Sequence, residues 1–190
     1  MVELVIHLIR KGTPPEVKFN IFARINTGGM ALSAQELRHA ITPGKARDLL
    51  EIWAGLPSFL KATDNSVRPI RMDDRELVLR FIGFSMLGVE GYRKPDMDAF
   101  LISTMKAINA ASDETMLALQ ANFESAMNAA YAIFGRDAFR KRYNREASRL
   151  PINKAVFEAL AVNLAQLTEA QRRLLVERSQ KVRTRFIELF

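Results

Sequence analysis

The chain has 190 residues, of which 48% are hydrophobic, and these values are typical of one globular domain with a sizeable core. Cysteine is absent, which excludes a disulfide framework and a thiolate metal site. The two histidines, His7 and His39, fall in different predicted elements, which argues against a zinc centre. No run of 18 apolar residues occurs and the N-terminus lacks the basic start of a signal peptide, so we expect a cytoplasmic protein without a membrane partner.

The net charge of +7 is unevenly distributed along the chain. Residues 136–190 contain 13 Lys and Arg against 6 Asp and Glu, whereas residues 1–135 contain 15 of each class. Because a basic surface attracts polyanions, the C-terminal part is a candidate for contact with nucleic acid. The alternative is that these side chains only form the solvated faces of helices.

The N-terminal residues predict a strand followed by a helix. Val2–Ile9 is rich in β-branched residues over a length that suits one strand. A lone strand cannot form a sheet, so we expect it to be exposed or rearranged unless another chain pairs with it. The strand and the C-terminal helix are the two candidate contacts of a homo-oligomer. Thr13 and Pro14 then provide the cap and first turn of a helix. The helix is expected to have one apolar stripe, formed by Val17, Ile21, Phe22 and Ile25.

A double-glycine turn and a capped helix follow. Gly28–Gly29 can adopt positive φ without a side-chain penalty. Ser33 and Glu36 are spaced as a capping box for a helix over Ala34–Ile41. A turn beside a helix N-terminus, with the Arg24 guanidinium close by, can hold an anion. In the simpler interpretation the glycines only end the first helix and Arg24 is solvated or ion-paired.

Periodicity, caps and turn residues predict further helices through the rest of the chain. They are expected at Lys45–Leu56, Pro57–Ala62, Asp73–Leu87, Asp96–Ala110, Asp113–Phe134, Asn153–Leu167 and Glu169–Phe190. The first of these is expected to bury Leu49, Leu50, Ile52, Trp53 and Leu56. Asp73 and Asp74 suit a helix N-terminus better than a metal site, because no third ligand is spaced to join them. The predicted fold is mainly α, a multi-helix domain with one short N-terminal β-strand.

Residues 136–149 combine cationic side chains with Phe139 and Tyr143. Guanidinium groups can clamp phosphate, and aromatic rings can stack on unpaired bases. We interpret the two aromatic residues as core-facing and the cations as candidate contacts to a DNA backbone. These cations are Arg136, Arg140, Lys141, Arg142 and Arg145. The alternative is a helix that leaves all of its basic residues in water.

Four segments resemble those of one bacterial family, in the same order. They are Ile21–Ile41 (IFARINTGGMALSAQELRHAI), Arg71–Phe81 (RMDDRELVLRF), Phe134–Lys141 (FGRDAFRK) and Pro151–Glu158 (PINKAVFE). The family is a domain of unknown function that forms the N-terminal half of GmrSD-type, modification-dependent restriction enzymes, and that half resembles the ParB/sulfiredoxin-like fold. The resemblance covers nearly the whole chain.

The resemblance implies a boundary near residue 41. Residues 1–41 would be the remnant of a ParB-like α/β domain, and residues 42–190 would form an all-helical domain. The turn would then border a nucleotide site for NTP with Mg²⁺. Its phosphate contacts would come from Arg24, Asn26, Thr27, Gly28, Gly29 and Gln35.

The sequence also departs from the family, because the upstream D-G-Q-Q-R motif and the partner nuclease half do not occur in it. Independent catalysis is therefore not expected, and no catalytic or metal-binding residue is assigned. The expected role is a helical part of a nucleotide-dependent, DNA-targeting restriction or phage-defence protein. Such a part would contact nucleotide phosphate, DNA or a nuclease subunit.

Two other functions stay open. The first is an interaction module, a homodimer or split subunit, which binds another polypeptide through the N-terminal strand and the apolar C-terminal helix. The second is an enzyme whose site contains Glu36, Arg24 and Asn26. One carboxylate without a histidine or a metal partner is a weak basis for catalysis.

Overall fold

The computed structural model of the chain describes residues 8–25, 31–92, 96–142, 144, 146 and 148–190. In these residues the fold is mainly helical and contains no strand, which confirms the mainly α part of the predicted class. The α-helices are α1 (Pro15–Ile25), α2 (Ala34–Ile41), α3 (Ala46–Ala54), α4 (Pro57–Ala62), α5 (Asp73–Met86), α6 (Met97–Ala110), α7 (Asp113–Phe134), α8 (Lys154–Gln166), α9 (Glu169–Glu177) and α10 (Ser179–Ile187). Single 3₁₀ turns occupy Pro69–Arg71, Val89–Gly91 and Gly135–Asp137. The predicted strand falls mostly on residues 1–7, outside the described residues.

Side-chain caps fix where several of these helices begin. Asp96, Ser112, Asn153 and Thr168 each accept a hydrogen bond from the backbone N–H three residues further on. The predicted bounds of α2, α4 and α7 are confirmed, those of α5 and α6 differ by one residue at one end, and those of α8 differ by one residue at each end. Among the described helices, none combines the length and apolar character that a membrane span requires.

The core is built around Phe123 in the middle of α7, which is fully buried. Its ring lies 5.5 Å from Trp53 of α3, 5.9 Å from Phe59 of α4 and 4.8 Å from Phe81 of α5. Aromatic pairs at such separations add to the free energy gained by burial alone. The predicted role of Trp53 as a core anchor is therefore confirmed, and α7 is the helix on which α3, α4 and α5 converge.

The predicted apolar stripe of α1 is wrong. Val17, Phe22 and Ile25 have 43%, 45% and 66% of their surface exposed, whereas Phe19 is buried against Leu37 of α2 and Ile102 of α6. The helix therefore packs through a different face from the one that periodicity selects. The same error occurs at Ile52 in α3, which is 61% exposed.

The last predicted helix is interrupted. Arg178, with φ −96° and ψ 20°, ends α9 and precedes α10, so the expected continuous helix over Glu169–Phe190 is wrong. Both helices pack against α7. Leu175 and Val176 of α9 and Phe186 of α10 lie against the core.

Candidate functional site

The predicted nucleotide contacts lie in two different environments. Asn26–Gly29 fall outside the described residues. Arg24 is exposed in the last turn of α1, whereas Gln35 is fully buried in the first turn of α2. Gln35 Oε1 accepts a hydrogen bond from Arg38 Nε (2.9 Å), which commits this side chain to the interior. A nucleotide contact at the turn stays a prediction, and it has no support from the placement of Gln35.

The capping box at the start of α2 is confirmed. Ser33 Oγ accepts from the Glu36 N–H (3.1 Å), and the Glu36 carboxylate accepts from the Ser33 N–H. Arg71 Nε lies 3.2 Å from Glu36 Oε2, and a second nitrogen of Arg71 donates to the Ala31 carbonyl. The positive end of α2 thus already holds a carboxylate, with which any incoming anion would compete.

A network of charged side chains crosses the predicted boundary at residue 41. Arg38 of α2 is 1% exposed, and its guanidinium contacts Glu76 of α5 (3.1 Å) and Asp98 of α6. The Glu76 carboxylate also accepts from Arg80 Nε (2.9 Å) and from Lys154 Nζ of α8 (2.9 Å). The network therefore connects α2 to α5, α6 and α8. Its burial and its internal pairing indicate a structural role.

The charge state of this network follows from its geometry. Burial favours the neutral form of Glu76, yet the hydrogen bond from Lys154 and the charges of Arg80 and Arg38 hold the pKa of Glu76 below its ordinary value. Glu76 is thus ionised in the folded protein at neutral pH. Burial lowers the pKa of the Arg38 guanidinium, and Glu76 and Asp98 partly offset this effect.

Arg140 does not lie on the surface that the sequence suggests. It is 3% exposed, and its guanidinium donates to the carbonyl oxygens of Leu150 (2.6 Å) and Thr63 (3.3 Å) and to Ser66 Oγ. Phe139, which precedes it, is fully buried with φ +63°. The segment after the 3₁₀ turn is thus not helical, and Arg140 ties it to the end of α4. We do not include Arg140 in a DNA contact.

Two other cations of this segment share one carboxylate. Arg136 Nη2 lies 3.1 Å from Asp64 Oδ2, and Arg149 Nη2 lies 2.6 Å from the same oxygen. Hydrogen bonds from Arg136 and Arg149 lower the pKa of Asp64. The Arg136 side chain is nevertheless 71% exposed, so it stays accessible to solvent. Arg145 falls outside the described residues.

The α7–α10 cleft is a cavity of about 440 Å³ between the end of α7, the segment 135–142 and helix α10. One part of its lining is polar, with the guanidinium groups of Arg142 and Arg183 and the hydroxyls of Ser179 and Thr184. The other part is apolar and includes Phe134 and Phe186. The cleft thus places a predicted phosphate contact, Arg142, together with Arg183 of α10 and the carboxylate of Asp137.

Contacts with the body of the protein fix both guanidinium groups of the cleft. Arg183 Nε donates to the Ile133 carbonyl in the last turn of α7. Arg142 Nε pairs with Asp137 Oδ2 at 3.6 Å, and the Arg142 side chain is 15% exposed. Phe186 is held by Phe134, with ring centroids 5.0 Å apart.

A row of exposed cations runs along α10, on the side of the helix away from the residues that line this cleft. Arg178, Lys181 and Arg185 are spaced i, i+3 and i+7, so they share one helix face. Arg178 and Lys181 have no ion pair with any residue that the structure describes. Arg185 pairs with Glu188 (3.0 Å), and an exposed pair of this kind contributes little. We call this row the α10 surface.

Sequence reasoning missed Ser179, Arg183 and Asp64 as members of these sites. The cation spacing along residues 178–185 was a usable signal for the row. No local signal links Asp64 to Arg136 or Arg149, because these contacts join residues more than 70 positions apart.

No further site is indicated by the metal-ligating side chains of the described residues or by comparison with known proteins. Within the described residues, no group of three or more His, Asp or Glu side chains is arranged to hold a metal ion. Comparisons of the chain with protein-family models, curated proteins and solved structures find no match. The resemblance to the GmrSD-type domain therefore stays a prediction.

Proposed function

We propose that the chain is a helical, non-catalytic module that binds DNA through backbone contacts from the α10 surface. The observation that carries this proposal is the row of Arg178, Lys181 and Arg185 along α10, in the part of the chain that holds all of its excess positive charge. At a rise of about 1.5 Å per residue the row spans roughly 10 Å, enough to contact successive phosphates.

The salt dependence of DNA binding tests this proposal. Each phosphate contact contributes about 0.9 to the slope of log K against log salt for duplex DNA. Lys181→Ala should flatten that slope by about this amount. The matched control is Lys106→Ala, since Lys106 is an exposed lysine on α6, distant in sequence from the α10 surface. An equal change in both variants, or no binding at low salt, would reject the proposal.

The biological setting that we propose is a DNA-targeting restriction or phage-defence system. Its support is the resemblance of four segments to the GmrSD-type domain, together with the basic α10 surface. In that setting this module would present DNA to a nuclease subunit. Co-purification of this chain with a polypeptide that carries the missing D-G-Q-Q-R motif would support the assignment.

A nucleotide contact at the turn between α1 and α2 is a further part of the proposal. It is supported by the resemblance of the Ile21–Ile41 segment and by the exposure of Arg24. Calorimetry with NTP, with and without Mg²⁺, tests it. Binding that Arg24→Ala abolishes would support the contact, whereas no binding by the unmodified chain would remove it.

The alternative function is an interaction module, favoured by the exposed apolar side chains of α1. Val17, Phe22 and Ile25 of this helix are exposed, and Leu8, which precedes the helix, is 88% exposed. Exposed apolar groups of this size are common at protein interfaces. The mass in solution, compared between the unmodified chain and Phe22→Ser, would detect self-association through this helix.

A further inference from the structure

The α7–α10 cleft opens on the side of α10 away from the row of Arg178, Lys181 and Arg185, so contact of that row with DNA does not involve it. Its volume of about 440 Å³ falls in the range of about 300–1,000 Å³ that is typical of sites for small organic molecules. Its lining comes from the end of α7, from the segment 135–142 and from α10. The cleft is therefore a candidate site of its own, separate from the α10 surface.

The described side chains that line the cleft leave one positive charge uncompensated. Asp137 and Arg142 form an ion pair at 3.6 Å, and the Arg142 side chain is 15% exposed, so these two groups largely neutralise each other. Arg183 is exposed and has no ion pair with any residue that the structure describes. One net positive charge suits a ligand with a single negative charge. A phosphate monoester, with close to two negative charges at neutral pH, suits it less, because the Asp137 carboxylate lies in the same cleft.

The guanidinium of Arg183 is held in a position from which it can bind a carboxylate. Its Nε donates to the Ile133 carbonyl in the last turn of α7. That hydrogen bond leaves the two terminal nitrogens, which can form the two parallel hydrogen bonds of an arginine–carboxylate contact. A side chain that is already fixed loses little entropy when a ligand binds. Arg183 is therefore the anion contact of the cleft, and Arg142 stays in its pair with Asp137.

The apolar part of the lining is mainly aromatic and is also held in place. Phe134 of α7 and Phe186 of α10 have ring centroids 5.0 Å apart, and Phe186 also contacts Phe190, with centroids 5.3 Å apart. Ile187 adds an aliphatic side chain. An aromatic ring that packs against such rings gains more free energy than burial of its area alone provides. The lining thus suits a molecule with a flat aromatic body and one anionic end.

We infer that the α7–α10 cleft binds a small aromatic monocarboxylate, with its carboxylate on Arg183 and its ring against Phe134 and Phe186. This inference goes beyond the proposed function and does not depend on it, because the cleft and the α10 surface lie on different sides of α10. Since Phe134 belongs to α7 and Arg183 to α10, such a ligand contacts both helices and stabilises their packing.

Fluorine NMR with para-fluorophenylacetate as the probe tests the inference on the unmodified chain. For a ligand of this size we expect a dissociation constant of about 1 mM. The matched neutral probe is para-fluorophenylacetamide, which has nearly the same shape and lacks the charge. The amide should bind about tenfold more weakly, because it cannot form the charge-assisted contact with Arg183. Acetate, which lacks the ring, should not displace the probe at an equal concentration.

Two arginine variants then locate the contact. Arg183→Met removes the charge and keeps an unbranched side chain of similar length, so it should weaken binding of the acid about tenfold and leave binding of the amide unchanged. The matched control is Arg185→Met, which makes the same change on the α10 surface and should leave both probes unaffected. Thermal unfolding verifies the fold of each variant, and the comparison of acid with amide decides the inference if Arg183→Met does not fold.

Three outcomes would overturn the inference. Equal affinity for the acid and the amide would show an apolar groove that does not recognise charge. Equal effects of Arg183→Met and Arg185→Met would show that the acid responds only to the general positive charge of the chain. Absence of binding at about 10 mM acid would show that the cleft takes no ligand of this class. None of these results bears on DNA binding, which Lys181→Ala tests separately.

Discussion

Replacement of Glu76 by glutamine is the sharpest test of the charged network in the interior. The carboxylate contacts three cations, Arg38 at 3.1 Å, Arg80 at 2.8 Å and Lys154 at 2.9 Å, and its side chain is 8% exposed. Removal of one partner of a buried ion pair costs about 3–5 kcal/mol, because it leaves charge buried without compensation. The amide keeps the shape of the carboxylate, so the change isolates the charge.

The cost of Glu76→Gln should lie at the lower end of this range of free energies. Each cation keeps a second carboxylate, because Arg38 also contacts Asp98, Arg80 contacts Glu158 and Lys154 lies 3.6 Å from Asp73. We therefore expect a loss of about 3 kcal/mol in the free energy of unfolding. For a domain of this size the loss corresponds to a decrease in Tm of about 6–12 °C.

Urea unfolding followed by fluorescence measures this loss. Trp53 is the single tryptophan and is 1% exposed, so its emission reports opening of the core. Glu177→Gln is the matched control, since this carboxylate is exposed at the end of α9 and its replacement should change stability by about 0.5 kcal/mol or less. Equal effects of the two substitutions would refute a stabilising role for the network.

The difference in stability between the unmodified protein and Glu76→Gln should depend on pH. The pKa of Glu76 is lower in the folded state than its ordinary value near 4.5. The stability that its charge provides is therefore fully present above pH 4.5 and is lost as the pH falls through the folded-state value. The difference between the unmodified protein and Glu76→Gln should be constant at neutral pH and should shrink in acid. A difference in the free energy of unfolding that grows in acid would contradict the direction of the Glu76 pKa shift.

Three further substitutions test other parts of the structure. Arg140→Met should lower the free energy of unfolding by about 2–4 kcal/mol, because it leaves buried carbonyls without donors, and an unchanged urea midpoint would contradict its burial. Asp64→Asn should free Arg136 for phosphate and steepen the salt slope of DNA binding by about 1, whereas an unchanged slope would exclude Arg136 from the interface. Gly44→Ala should destabilise the protein measurably in the same urea assay. Gly44 has φ +128°, and a Cβ there would lie 2.5 Å from the Asn109 side chain. Equal stability of the two proteins would show that Asn109 can move at no cost.

The starts of helices were predictable where a single capping residue determines them. Capping residues such as Ser33 and Asn153 set helix starts through bonds to backbone only three residues away, and these starts were found to within a residue. The faces of helices were less predictable. In α1 both Phe19 and Phe22 are apolar, and which of them is buried depends on α2 and α6, which periodicity in α1 does not describe.

The sequence around Arg178 contains no residue that predicts the break between α9 and α10. Neither glycine nor proline lies near it, and the cation spacing continues through it. Leu175 of α9 and Phe186 of α10 both lie against the core, one on each side of the break. Its consequence for the site is direct, since Ser179 becomes the first residue of α10 at the edge of the cleft.

Arg140 and Arg142 show why the candidate site could be predicted only in part. They are two residues apart and have the same chemistry, yet Arg140 donates to four oxygens of residues 63, 66, 136 and 150, while Arg142 lines the α7–α10 cleft. The difference arises at Phe139, whose ring packs 4.7 Å from Phe157 while its backbone adopts φ +63°. A left-handed residue redirects the chain, so the next side chain enters the interior. Composition therefore locates the basic segment correctly. Which of its arginines enters the interior, Arg140 or Arg142, depends on the contact of Phe139 with Phe157 of α8, a helix that begins at residue 154.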